Sequence, residues 1–290
     1  MKLRILILSI FGTFVFNSCS TDGNSSNQNN NSGSILPKTI IISDNEGNTQ
    51  RTDFFYNGNK IDHINTTYNN QGVGVTNYVY NGDFITQTQP QSLIFGGIAT
   101  ENFTYQNGKL ISVVSTINGG IYNGIQSSVI FEYSTNGEIT RTRRQLGSTD
   151  PNFDDVLFMT NSSVGLPSSL TLNNGTNPAN GFPQDNSTIN YNTTNSVYKN
   201  IVGFNNVLSN LFFTDLSVNS LYGNGLSPYQ DDLSCLSNLS PINNYSSIDF
   251  NTIFYSYDYS YVYNENNYPT SFQVFDFYGQ PVRYGTIIYY

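Results

Sequence analysis

The feature that most narrows what this chain can become is a short unit that keeps returning. It consists of an aromatic or apolar residue, any residue, usually a tyrosine, and then an Asn/Gly turn. It occurs as "FFYNG" from Phe54, "YVYNG" from Tyr78, "FTYQNG" from Phe103, "FEYSTNG" from Phe131, "LTLNNG" from Leu170, "INYNTTN" from Ile189 and "YVYNENN" from Tyr261. The early copies lie 24 to 28 residues apart. Most turns lead into an alternating stretch: "KIDHI" from Lys60, "DFITQT" from Asp83, "KLISVV" from Lys109, "EITRTR" from Glu138. Alternation with a period of two marks a strand with one buried face. Asn-Gly supplies the positive φ that a tight hairpin turn requires.

Each unit is therefore a β-hairpin, and hairpins joined in succession make an antiparallel meander, because sequence neighbours usually pair in space. Two strands for each of seven units predict an all-β domain of about 12 to 14 strands. A twisted sheet of that width has to curl into an open roll or barrel. The tyrosine and the aromatic two residues before it share a face, so the repeat predicts a ladder of aromatic cross-strand pairs. The pattern lapses between 199 and 250, where Val207, Leu208, Leu211 and Phe212 have helical spacing; a short, mainly helical insertion that caps or plugs the sheet is expected there.

Only 11% of the 290 residues are charged, while 43 are asparagine, 22 tyrosine and 20 phenylalanine. Solubility thus rests on amides and hydroxyls. Loss of residues 1–18, with Lys2 and Arg4, takes the net charge from −9 to −11. Such a surface repels phosphate backbones, which argues against a nucleic-acid partner.

The N-terminus has its own signature. Lys2 and Arg4 precede an apolar run from Ile5 to Phe16, too short for a spanning helix of roughly 20 residues. A basic head, a short apolar core and a small residue describe a secretory signal peptide over 1–18. Cys19 directly after Ser18 resembles the lipobox of bacterial lipoproteins, with Phe16 and Asn17 replacing the usual leucine and small residue. The resemblance implies that Cys19 is acylated and becomes the first mature residue. Ser20 in place of the aspartate of an inner-membrane retention signal favours the outer membrane, periplasmic or surface face undecided. Residues 19–38, almost free of apolar side chains, read as a disordered tether, and 39–290 as the hairpin domain. An acylated Cys19 leaves Cys235 without an intramolecular partner, a buried inert thiol.

The last hairpins, "YDYSYVYNENNYPTSF" from Tyr257, resemble the C-terminal hairpin of Bacteroidota-type outer-membrane lipoproteins with a porin-like β fold. The earlier ones resemble the tyrosine-bearing repeats of RHS-type proteins. These resemblances imply a rolled antiparallel sheet and no known activity.

The residues that could carry chemistry are few. His63 is the sole histidine, and strict alternation would put it and Asp62 on opposite faces, so that Asp62 could not orient it. One histidine and two cysteines provide no Cys/His cluster for zinc, and no metal or cofactor is expected. Asp154 with Asp155, and Asp231 with Asp232, are acid pairs of the kind a glycosidase uses, but read more simply as solvated loop or helix-start acids. Arg141, Arg143 and Arg144 form the single basic cluster, read as a solvated edge strand that deters aggregation. The expectation is a non-enzymatic envelope protein held to the membrane by lipid, with a glycan or an envelope protein as candidate partner. A polysaccharide hydrolase built on an acidic pair and a membrane-embedded β-barrel are the alternatives.

Overall fold

The structure is a computed structural model that describes residues 34–92, 97–120, 123–135, 138–146, 155–161, 167–174, 185–204, 206, 243–250 and 255–290. Its strands, in chain order, are β1 (Pro37–Asp44), β2 (Thr49–Asn57), β3 (Lys60–Tyr68), β4 (Gln71–Asn81), β5 (Phe84–Ser92), β6 (Gly97–Gln106), β7 (Lys109–Asn118), β8 (Gln126–Tyr133), β9 (Glu138–Leu146), β10 (Asp155–Asn161), β11 (Pro167–Asn174), β12 (Asp185–Asn195), β13 (Asn243–Phe250), β14 (Tyr255–Tyr263), β15 (Pro269–Phe275) and β16 (Pro281–Tyr289). Each pairs antiparallel with its sequence neighbours, and β16 returns to β1, so the sheet closes into a barrel. The sixteen strands among the described residues exceed the 12 to 14 counted from the turn repeat. The extra ones include β1 and β16, which pair with each other across the seam and so have no turn between them. The expected tether reaches Lys38; β1 starts at Pro37 and Leu36 is already buried.

Alternation sorts the side chains onto two faces. Ile40, Ile42, Phe54, Tyr78, Ile85, Phe103, Val129, Ile189, Phe272, Val274 and Ile287 form the buried inner face. The outer face mixes amides and hydroxyls with exposed Val79, Val114, Ile130 and Val262. One ladder row runs Val79, Gln87, Asn102, Val114, Ser128, and another Ser169, Thr188, Asp249, Ser256. Outer amides bond along and across strands, Gln87 Nε2 to Asn102 Oδ1 at 2.9 Å and Asn190 Nδ2 to Ser247 Oγ at 3.0 Å.

The repeat tyrosine has a specific structural task. It ends each even-numbered early strand, points inward, and ties its strand to the start of the preceding one. Tyr56 Oη donates to Pro37 O at 2.8 Å, Tyr105 Oη to Ile85 O at 2.8 Å, Tyr133 Oη to Leu110 O at 2.7 Å and Tyr289 Oη to Pro269 O at 2.8 Å. Tyr80 Oη instead accepts from Ile61 N at 3.1 Å. Tyr105→Phe and Tyr133→Phe should each cost about 1 kcal/mol, the net value of one such bond. Tyr105 faces Leu110, the residue whose carbonyl accepts from Tyr133, so urea unfolding of the double variant should depart from the sum of the single losses by about 0.5 kcal/mol or more.

Just past the turn, the following strand carries a β-bulge. Phe55 faces His63 while Tyr56 faces Ile61, leaving Asp62 unpaired. The same slip leaves Thr86, Ile111 and Thr270 unpaired in β5, β7 and β15. A bulge puts two successive residues on one face and strengthens the local twist. Inward residues at these places are therefore three apart, as in Ile61 and Ile64 or Leu110 and Val113.

A closed barrel of sixteen strands leaves room for an aqueous channel. Here one mouth is filled by the chain that follows β12. Tyr198 and Phe204, both 0% exposed, pack on each other at 5.2 Å between centroids and reach Phe54 and Tyr78 on the wall at 6.3 and 6.2 Å. Val202 N donates to Asn59 O at 2.9 Å, and Asn200 Nδ2 to Ile35 O and Tyr268 Oη at 3.0 and 2.8 Å. A plug was expected in this region. Its described part turns from 197 to 203 and is helical at Phe204 and Asn206; residues 205 and 207–242 lie outside the described residues, and Asn243–Phe250 is strand β13 within the span where the insertion was expected.

Candidate functional site

Alternating turns give the barrel two distinct ends. The turns at 58–59, 82–83 and 107–108, the plug, and the chain ends at Ser34 and Tyr290 share one end. The turns at 45–48, 69–70, 119–125 and 276–280 share the other. Lys38, Lys60 and Lys109 all sit at the plugged end, over the rings of Tyr290, Tyr80 and Tyr133 at 5.5, 5.6 and 4.8 Å. Such contacts use the ring face and the ammonium together.

Burial defines the chemistry of the interior. Tyr80 is pushed up to about 12 by burial, partly offset by the bond from Ile61 N. Burial likewise raises Tyr56, Tyr105, Tyr133, Tyr191, Tyr259 and Tyr289, and raises Tyr245 and Tyr261 well above the usual phenol value. These tyrosines are core, and a glycan cannot stack on them. One carboxylate stands among them: Glu101, 4% exposed, accepts a bond from Thr88 Oγ1 at 2.5 Å. Opposite it in the ladder lies Ser115, whose buried Oγ has no partner. The sequence reading missed Glu101, although the alternation of Ala99, Glu101 and Phe103 places it inward.

His63 and Asp62 require a correction. The bulge puts both on the outer face, where His63 Nδ1 meets Asp62 Oδ2 at 2.7 Å and the imidazole stacks on Phe55 at 4.3 Å and 8°. Asp62 thus does orient His63. His63 and Asp62 side chains are 30% and 66% exposed, and their ladder neighbours Phe55 and Asn77 offer no nucleophile. The pair is an exposed hydrogen-bonded couple without the third member of a triad.

The arginine cluster also reads differently. β9 is bonded on both sides, to β8 and β10, so it is no edge. Arg141 and Arg143 occupy the register positions opposite Phe131 and Val129, whose side chains are inward. Asp155 stands opposite Arg143 and Asn174 within β10, in a strand and not in a loop or helix start. Cys19, Cys235, Asp154, Asp231 and Asp232 lie outside the described residues. Among the described residues, no three His, Cys, Asp or Glu side chains converge to hold a metal ion.

The closed antiparallel barrel with a plugged mouth defines a porin-like class of fold. A porin-like protein from Bacteroides uniformis ATCC 8492 superposes with a TM-score of 0.52 over 88% of this chain and 96% of its own, at 13% identity. A second, from Bacteroides vulgatus ATCC 8482, gives a TM-score of 0.50 over 89% and 99%, at 14% identity. The likeness is one of fold. No family model and no curated protein matches the sequence.

Proposed function

We propose that this chain is a lipid-anchored protein of the outer membrane whose barrel stands in water and acts by binding or as a structural element, without catalysis. The observation that carries the reading is the polarity of the barrel wall. An outer-membrane barrel turns an apolar band about 25 Å tall to lipid and keeps a polar lumen. This wall interrupts any such band, with Gln87, Asn102, Ser128, Thr188 and Asn190 set among the outward Val79, Val114, Ile130 and Val262, while its inside is mainly phenylalanine, tyrosine and isoleucine around a few buried polar groups such as Thr88 and Glu101. Such a wall favours the anchored reading over the embedded one. Cys19, with its lipobox-like setting, supplies the hook, and acyl chains contribute about 0.8 kcal/mol per buried methylene. The porin-like neighbours fit an outer-membrane setting, and no constellation of the described side chains favours hydrolysis.

Proteolysis within residues 20–33 of outer membranes prepared from cells should release the barrel almost entirely into buffer with its β circular dichroism intact. Cys19→Ser should likewise leave the protein out of the acylated fraction. A barrel that stays with the membrane after the cut would mean that it is embedded.

A further inference from the structure

Three hairpin turns of this barrel are built on one hydrogen-bond plan. At β1–β2, Asp44 N donates to Asn48 O and Gly47 N to Asp44 O, while Asp44 Oδ1 accepts from Glu46 N and Asn48 N at 2.9 and 2.8 Å. At β14–β15, Asn264 takes the place of Asp44 and Asn267 that of Gly47, with Asn264 Oδ1 accepting from Asn266 N and Tyr268 N at 3.0 Å each. At β15–β16, Asp276 Oδ1 accepts from Tyr278 N and Gln280 N at 2.9 and 2.8 Å, and Gly279 N donates to Asp276 O at 2.9 Å. The first, fourth and fifth residues, with the N–H of the third, satisfy the turn in every case. The middle two contribute only their backbone.

Those free middle positions hold Asn45 and Glu46 in one turn and Glu265 and Asn266 in another. In the β15–β16 turn they hold Phe277 and Tyr278, 56% and 79% exposed, packed edge-on at 5.5 Å. Nothing in the turn requires aromatics there, and two such rings in water on an amide-rich molecule are an unforced exposure of apolar surface. Their support is rigid. Asn45 Nδ2 donates to Pro281 O at 2.5 Å, and Asn69 links the next turn by bonding Asn48 Oδ1 and Thr49 N. Three neighbouring turns are thereby stitched into one rim, at the end of the barrel opposite Ser34.

We propose that Phe277 and Tyr278 form a stacking platform for a neutral carbohydrate, held by the rim that Asn45, Glu46 and Gln280 share. The proposal rests on the binding reading above and names its ligand class. Size favours a sugar. The exposed parts of two such rings amount to about 300 Å², far below the roughly 800 Å² per partner of a stable protein interface, but enough for one or two sugar rings. Chemistry agrees, since the surrounding exposed groups are amides and carboxylates suited to hydroxyls, and the flanking turns carry no lysine to recruit anionic lipid or phosphate. Rigid aromatics with few rotatable bonds bind at low entropic cost.

The test uses the full lipidated chain in detergent micelles, with maltohexaose, cellohexaose, mannohexaose and xylohexaose as probes, read by saturation-transfer NMR. The control variant is Phe277→Asn with Tyr278→Glu, which copies the β1–β2 turn and so keeps the fold. The expected result is binding of at least one probe by the wild-type chain, weakened about tenfold or more in the variant, with the melting temperature unchanged. Absence of binding by every probe at about 1 mM, or binding that survives the double substitution, overturns the proposal. So does a dimer, or a vesicle contact, that disappears in the variant while sugar binding does not. None of these failures touches the anchor, which the proteolytic release experiment reads separately.

Discussion

Raising the pH above 10 is expected to unfold the barrel in one cooperative step, with tyrosine ionisation and loss of β structure occurring together. An unfolded tyrosine ionises near 10, whereas Tyr80 in the folded barrel holds its proton to about 12 because it is buried. Between those values the unfolded chain has shed a proton that the folded chain keeps. Stability therefore falls as pH rises, by about 1.4 kcal/mol per unit for each such group, and is fully present below 10. Tyr80 alone accounts for about 2 to 3 kcal/mol over that window. Burial raises Tyr56, Tyr105, Tyr191, Tyr259 and Tyr289 further, with neighbouring phenols adding to the shift at Tyr56, Tyr105 and Tyr289. Their combined slope exhausts an ordinary domain stability of about 5 to 15 kcal/mol before any of them ionises in place. Absorbance at 295 nm and far-ultraviolet circular dichroism should change at the same pH. Smooth titration near 10 with intact β signal would mean that these rings are open to water.

The same tyrosines show what could be read from the sequence. "FFYNG" and "YVYNG" announced a strand, a shared inward face for Phe54 with Tyr56 and Tyr78 with Tyr80, and a tight turn. Gly58 and Gly82 do sit at φ of 61° and 57°. Local chemistry decides these features, and local chemistry is written in consecutive residues. Closure between β1 and β16 is not of that kind, because Ile42 and Gly285 meet without any turn to mark the pairing.

The bulges lie between these cases. "KIDHI" looks like plain alternation, and that reading sent Asp62 and His63 to opposite faces. The apolar residues Ile61 and Ile64 are three apart, however, and so are Leu110 and Val113. A strand can keep both inward only by inserting one extra residue, and the insertion brings Asp62 beside His63. The arginines failed for a different reason. Charge on an alternating strand suggests a solvated edge, but whether a strand is an edge depends on distant pairing that Arg141 and Arg143 do not report.

The seam itself offers the second large effect. Gly285→Ala should destabilise the barrel by about 3 kcal/mol, although alanine usually serves better than glycine within a strand. Gly285 faces Phe272 on β15 and Ile42 on β1 at inward positions, and the Phe272 ring lies directly over it. A Cβ there would come within 1.9 Å of Phe272 Cε1 and 2.3 Å of Cζ. The ring has little room to retreat, being 2% exposed and packed on Tyr261 at 6.1 Å. Strain would fall on the β15–β16–β1 seam, the part of the sheet held by no covalent turn on one side. Phe272→Ala by itself should cost about 3 to 5 kcal/mol by opening a cavity. Combined with Gly285→Ala it should cost less than the two single losses together, because the new methyl enters space that the ring has left. Urea unfolding of the four proteins closes this cycle, and a coupling of about 1 to 3 kcal/mol in the compensating direction is the expected result. Additive losses, or a neutral Gly285→Ala, would mean that Phe272 does not cover the glycine.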